Sequence, residues 1–286
     1  MKKVSILILL TIFSVFLSCK KEIDIDLNND KTSRLVVSGR FTNETKSHRI
    51  ILSRTSDYFK NEQTPRETGA SVKILEEGNS IPIVLTEVSD GIYETAPTVK
   101  GIVGKNYTLE IITKDGKQYN STSYLDTVPN IDNVISEYTK DPFARDKNGK
   151  ELYTYELSIS FQDIPIYDNN YMLNVFLDDK LLTDTLRERI YFNDYGANGL
   201  YYPEIPFYQI KKEYIDKDTV NLKVELSSIS KVEYDYFYSL MYETDYRGSI
   251  FDGPPANIST NITNGALGFF SVSAISSFET KIIKKH

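Results

Sequence analysis

Few side chains in this sequence can do chemistry, and they lie far apart. Cys19 is the single cysteine, and histidine occurs only at His48 and His286. An ordinary zinc site draws several ligands from Cys and His, more than this sequence supplies. A serine nucleophile would have to use His48 as its base, and no Gly-x-Ser-x-Gly elbow accompanies it. Glycoside hydrolysis needs only two carboxylates. With 40 acidic residues a pair could be present, so a carboxylate-dependent hydrolase stays open as one reading. Asp146, Asn148 and Gly149 in DPFARDKNGKE faintly follow an acidic calcium loop. The EF-hand pattern is absent, however, and Asp, Asn and Gly are ordinary turn formers. No catalytic residue, metal-ligand set or cofactor is assigned, and the expectation is a non-enzymatic protein.

Cys19 is the residue with a definite chemical expectation. It follows MKKVSILILLTIFSVFLS, in which Lys2 and Lys3 precede an apolar run broken only by Ser5, Thr11 and Ser14. This is the layout of a secretory signal peptide over residues 1–18. The run is shorter than the ~20 residues a spanning helix needs, and Lys20, Lys21 and Glu22 close it. A single cysteine in an exported chain is an unpaired thiol that needs an explanation. Phe16-Leu17-Ser18-Cys19 resembles a bacterial lipobox, with Phe where Leu is commoner. The expected product is a chain beginning at Cys19, joined by a thioether to diacylglycerol. Its acyl chains contribute about 0.8 kcal/mol per buried CH₂, enough to anchor a protein without a span. The competing reading is a plain signal peptide with an incidental cysteine.

Residues 19–30 read as a lipidated tether. Lys20, Lys21, Glu22, Asp24 and Asp26 resemble the export signal that sends some Bacteroidota lipoproteins to the outer face of the outer membrane. The same acids alternate with Ile23, Ile25 and Leu27, which is also the pattern of a first strand with one wet face. The expected location is the outer membrane, lipid-anchored and exposed at the cell surface.

Formal net charge is −7, and loss of Lys2 and Lys3 with the leader makes it more negative. Phosphate repulsion then excludes nucleic acid as a partner. Tyr is abundant at 21 residues and Trp is absent; a chain rich in Tyr, Val, Ile and Thr suits sheets. Alternating runs such as RLVVSGRF and KNYTLEII, with turn signals including Asp115-Gly116, recur at the spacing of a sandwich. The fold class read from this is mostly β. It comprises two Ig-like or transthyretin-like β-sandwich domains, over residues 31–128 and 129–286, with one amphipathic helix in the second. Pro129 marks the boundary.

The helix is expected over residues 231–245. Val232, Tyr236 and Leu240 fall on one stripe, and Ser230 with Glu233 forms a capping box. The segment RIYFNDYGANGLYYPEIPFYQI has no clean period. It holds Tyr191, Phe192, Tyr195, Tyr201, Tyr202, Phe207 and Tyr208, separated by glycines and prolines. Read as a long aromatic loop, it is the candidate ligand- or partner-binding site. The alternative is that its rings roof the second core. Tyr58 and Phe59 form a weaker second patch.

The blocks CKKEIDIDL, RLVVSGRFTNE, GASVKILEEG, GIYETAPTVKGIVGKNYTLEIITKDGKQYNS and FDGPPANISTNITNGALGFFSVSAIS, in that order, resemble the Bacteroidota outer-membrane lipoproteins catalogued as domain of unknown function 4249. The resemblance spans nearly the whole mature chain. It implies an accessory to TonB-dependent nutrient uptake, with a TonB-dependent receptor as partner beside the bilayer that holds the lipid anchor. It brings no catalytic residues with it. An independent glycan- or peptide-capture module is the second reading.

Overall fold

The computed structural model describes residues 33–56, 64–145, 147–166, 168–244 and 258–285. The leader, Cys19, the export-signal residues, Tyr58, Phe59 and Asp146 lie outside them. The described residues are mostly β, with one α-helix among them, and form two β-sandwiches, each with its own core.

The first sandwich pairs two sheets. One carries β1 (Leu35–Thr42), β2 (Arg49–Arg54), β5 (Thr86–Ser89) and β6 (Ile92–Glu94). The other carries β3 (Ser71–Glu76), β4 (Ile83–Val84), β7 (Lys105–Ile112) and β8 (Gln118–Leu125). Period-2 alternation fixes their faces. Leu35, Val37 and Phe41 from β1 meet Tyr107, Leu109 and Ile111 from β7 in a single core. The fully buried Tyr107 donates its hydroxyl to Glu76 Oε2 at 3.0 Å and accepts from the Ile102 amide at 2.7 Å. A buried phenol is thereby satisfied, and burial raises its pKa to about 12.

The second sandwich stacks β9 (Ile131–Arg145), β10 (Glu151–Gln162) and β14 (Tyr201–Lys211) on a sheet built from β11 (Asn170–Leu177), β12 (Lys180–Leu181), β13 (Ile190–Asn193), β15 (Thr219–Ile229) and β17 (Ile275–Ile283). Tyr155, Leu157, Ile159 and Phe161 of β10 face Tyr171, Leu173 and Val175 of β11 across its core. Both faces of β11 are buried, because Met172 and Asn174 are covered from the other side.

The sequence reading assigned everything after residue 129 to the second sandwich. The structure differs at β16 (Leu267–Ser273). This strand runs parallel to β1, with Gly39 opposite Phe270 and Arg40 opposite Ser271, and so completes the first sandwich. Ile262, Ala266, Phe270 and Val272 are part of that first core. The pairing is close: a Cβ on Gly268, where φ is +88°, would stand 1.9 Å from the Val37 carbonyl oxygen. Only glycine fits there. The parallel arrangement requires a crossover, and α1 (Lys231–Thr244) lies within it. Ala274, fully buried, alone separates β16 from β17. One nearly continuous extended segment therefore belongs first to one sandwich and then to the other. Asn43 clamps the crossover point by accepting from the Ile275 amide at 2.8 Å and donating to its carbonyl at 3.3 Å.

Candidate functional site

The seven aromatic residues singled out from the sequence do not form a loop. They lie on β13, on β14 and in the turn between them, and their side chains divide. Phe192, Tyr202, Phe207 and Tyr208 pack against the second core. Tyr202 stacks on Phe161 with centroids 4.6 Å apart and planes 7° from parallel. Tyr191 turns to the opposite face and stacks on Phe237 of α1 at 5.1 Å. Tyr195 and Tyr201 remain in solvent, 94% and 51% exposed. Five of the seven rings therefore pack against the protein, and two, Tyr195 and Tyr201, stand in solvent. Pro203 and Pro206 obscured the strand. They are tolerated because β14 is the edge of its sheet and bulges twice against β10.

The two free tyrosines sit at one end of the second sandwich with Ile166 and Leu200, both more than half exposed. A buried aspartate holds this end in shape. Asp163 Oδ1 accepts the Tyr171 hydroxyl at 2.6 Å, and Oδ2 accepts the Gly199 amide at 2.8 Å. The Asp163 amide donates to the Leu200 carbonyl at 3.0 Å. Gln162 Nε2 donates to the Gly199 carbonyl at 2.9 Å. Burial first, and the hydrogen bond to Asp163 second, push the Tyr171 phenol far up from its usual pKa. The phenol thus stays protonated and donating.

A second feature lies between the sandwiches, where the outer face of β1, β2 and β16 meets α1, β11 and the segment before β13. It is a cavity of about 530 Å³. Phe269, Tyr236, Phe237, Met172, Ile51 and Leu240 supply apolar wall. Arg40, Arg49, Arg189 and Glu233 supply charge. Arg40 Nε donates to Ser273 Oγ at 2.9 Å, while its Nη2 is closed off from solvent with no hydrogen-bond partner among the described residues. Arg189 lies over the Phe237 ring, 5.2 Å from the centroid, and reaches the Tyr191 hydroxyl at 3.4 Å. Glu233, 2% exposed, accepts the Ser271 hydroxyl at 2.6 Å.

Electrostatics at this point are those of buried charge. Burial raises the Glu233 pKa, and attraction to Arg40, the Ser271 bond and Arg189 oppose that rise. Burial lowers the Arg40 pKa against the pull of Glu233 and Glu225. Burial also raises the Tyr191 and Tyr236 phenols. The sequence reading placed Glu233 in a reciprocal capping box. Half of that box exists: Ser230 Oγ accepts the Glu233 amide at 3.1 Å. The carboxylate itself turns into the cavity to meet Ser271. The inward stripe of α1 is correspondingly Glu233, Tyr236, Phe237 and Leu240, while Val232 is 54% exposed. Arg40 escaped notice because alternation places it on the wet face of β1. That face is covered by α1, β11 and the segment before β13, all distant in sequence.

His48 is buried against Phe41, with ring centroids 4.5 Å apart and Nε2 3.2 Å from the Val99 carbonyl oxygen. It is a core histidine, and burial lowers its pKa. The family model described as "Domain of unknown function (DUF4249)" matches residues 20–279. Among curated proteins, none matches the chain.

Proposed function

Because the chain belongs to the DUF4249 family, and because its leader ends in Phe16-Leu17-Ser18-Cys19, we propose that it is an outer-membrane lipoprotein. In this reading it is held at the cell surface by lipid on Cys19 and acts by binding, as an accessory subunit of a TonB-dependent nutrient-uptake system. The observation that carries the binding role is the exposed end of the second sandwich. There Ile166, Tyr195, Leu200 and Tyr201 stand in solvent on backbone pinned by Asp163. Rigid aromatic and aliphatic side chains of this kind are the usual anchors of an interface, and pinned backbone reduces the ordering cost of association. Pro203 and Pro206 blunt β14 against pairing with a foreign strand, so the partner docks on side chains. Acyl anchoring confines the protein to a surface and raises its effective concentration near a receptor in the same membrane.

The test is purification of the intact lipoprotein from native membranes, with partners identified by mass, for the wild type and for the Tyr195→Ala, Tyr201→Ala double variant. A stoichiometric outer-membrane receptor that accompanies the wild type and is lost from the variant is the expected result. A receptor retained equally by both moves the interface elsewhere. The absence of any receptor from the wild type overturns the accessory role.

A further inference from the structure

The cavity between the sandwiches has features that packing alone does not require. Buried polar groups are ordinarily hydrogen-bonded, and the wall of this solvent-connected cavity holds one that is not, on Arg40. A single carboxylate, Glu233, is attracted by two guanidinium groups, Arg40 and Arg189. Nearby, Arg49 pairs with Glu94, Lys223 with Glu225, and Lys46 with Glu44, and Glu225 and Glu44 also attract Arg40 from farther off. Among the described residues that line the cavity, Arg40, Arg49 and Arg189 stand against one carboxylate, Glu233. Arg40 Nη2 has donors closed off from water and unbonded among the described residues. A buried unmatched donor costs about 1–3 kcal/mol, so the site is poised for an acceptor.

The rest of the wall sets the body of the ligand. Tyr236 and Phe237 stand edge to face at 5.1 Å, and Tyr236 lies 5.0 Å from Phe269. Arg189 is fixed against the same aromatic group through Phe237. A volume of about 530 Å³ lies within the range of small-molecule pockets, which pair an apolar wall with a few placed polar groups. We infer that this cavity binds a small organic anion: a carboxylate carried on an apolar, aromatic or aliphatic body, with the carboxylate between Arg40 and Arg189 and the body against Tyr236, Phe237 and Phe269. Planar carboxylate geometry suits the guanidinium fork. The site is separate from the exposed end of the second sandwich, and the inference stands on the cavity alone.

The test uses the chain from residue 19 onward with Cys19→Ser, so that no lipid competes. Calorimetry compares 2-naphthoate with its neutral counterpart 2-naphthylmethanol. The wild type is expected to bind naphthoate saturably at one site, at least tenfold more tightly than the alcohol. Arg189→Gln and Arg40→Gln should each remove that preference, and Leu240→Trp should block the space and abolish binding of both. Arg40 is the more buried of the two, and if its variant does not fold, Arg189→Gln decides. Equal affinity for acid and alcohol, a preference untouched by Arg189→Gln, or no saturable naphthoate binding would overturn the assignment.

Discussion

Phe270→Ala tests the most consequential feature of the topology, the return of β16 to the first sandwich. Phe270 is fully buried in a core whose other members come from residues 35–125, apart from Ile262, Ala266, Val272 and Ala274. Its backbone is fixed on both sides of the peptide: its amide donates to Asn261 Oδ1 at 3.0 Å, and its carbonyl accepts from Asn261 Nδ2 at 2.8 Å. The site therefore has little freedom to collapse around a missing ring. Truncating a core Phe costs about 3–5 kcal/mol under such conditions. At about 2–4 °C per kcal/mol for a chain of this size, the melting temperature should fall by about 6–20 °C. Circular dichroism during thermal and urea unfolding measures this without a tryptophan, which the chain lacks. Ile283→Ala, at a position 66% exposed on β17, is the control and should change stability by less than about 0.5 kcal/mol. By the same logic, residues 34–128 alone should not fold, because β1 would present an unpaired edge over an incomplete core. A Phe270→Ala loss of under about 1 kcal/mol, or a stable fragment 34–128, would refute the reasoning.

Three further outcomes follow from the same structure. Tyr202→Ala should destabilise the chain by a few kcal/mol through loss of the Phe161 stack and core burial, whereas Tyr201→Ala should leave the melting temperature nearly unchanged; reversed effects would mean that β14 is out of register. Gly268→Ala should cost more than about 1 kcal/mol in urea unfolding, since the added methyl meets the Val37 carbonyl at positive φ. His48 is held neutral by burial, with a folded pKa below its unfolded value. Unfolding therefore takes up a proton below about pH 6.5, and its contribution to stability is present above that pH and lost as pH falls toward the folded pKa. His48→Gln should show a shallower decline in melting temperature between pH 7.5 and 5.5 than the wild type; parallel declines would contradict this.

Local chemistry was readable in the sequence, and long-range pairing was not. Asn264-Gly265 announces the turn before β16, and both residues adopt positive φ. Asp178 and Asp179 do the same between β11 and β12. Ser230 marks the start of α1, because its hydroxyl accepts the otherwise free Glu233 amide whatever the fold. The placement of β16 depends on which distant strand it meets, and no property of LGFFSVS distinguishes pairing with β1 from pairing with β17. Arg40 and Glu233 follow the same rule. Each obeys a local pattern, a wet strand face and a capping position, that explains it fully until the two faces are brought together. The aromatic segment misled for a different reason. Its prolines signal a break in a central strand, and they carry no such meaning on an edge.

The central claim, a binding protein tethered by lipid at a cell surface, is tested most directly by mass spectrometry of the N-terminal peptide from native membrane material. The account predicts a peptide that begins at Cys19, with residues 1–18 absent and diacylglycerol joined to its sulfur. A bare thiol at Cys19, or a leader still attached, would contradict it.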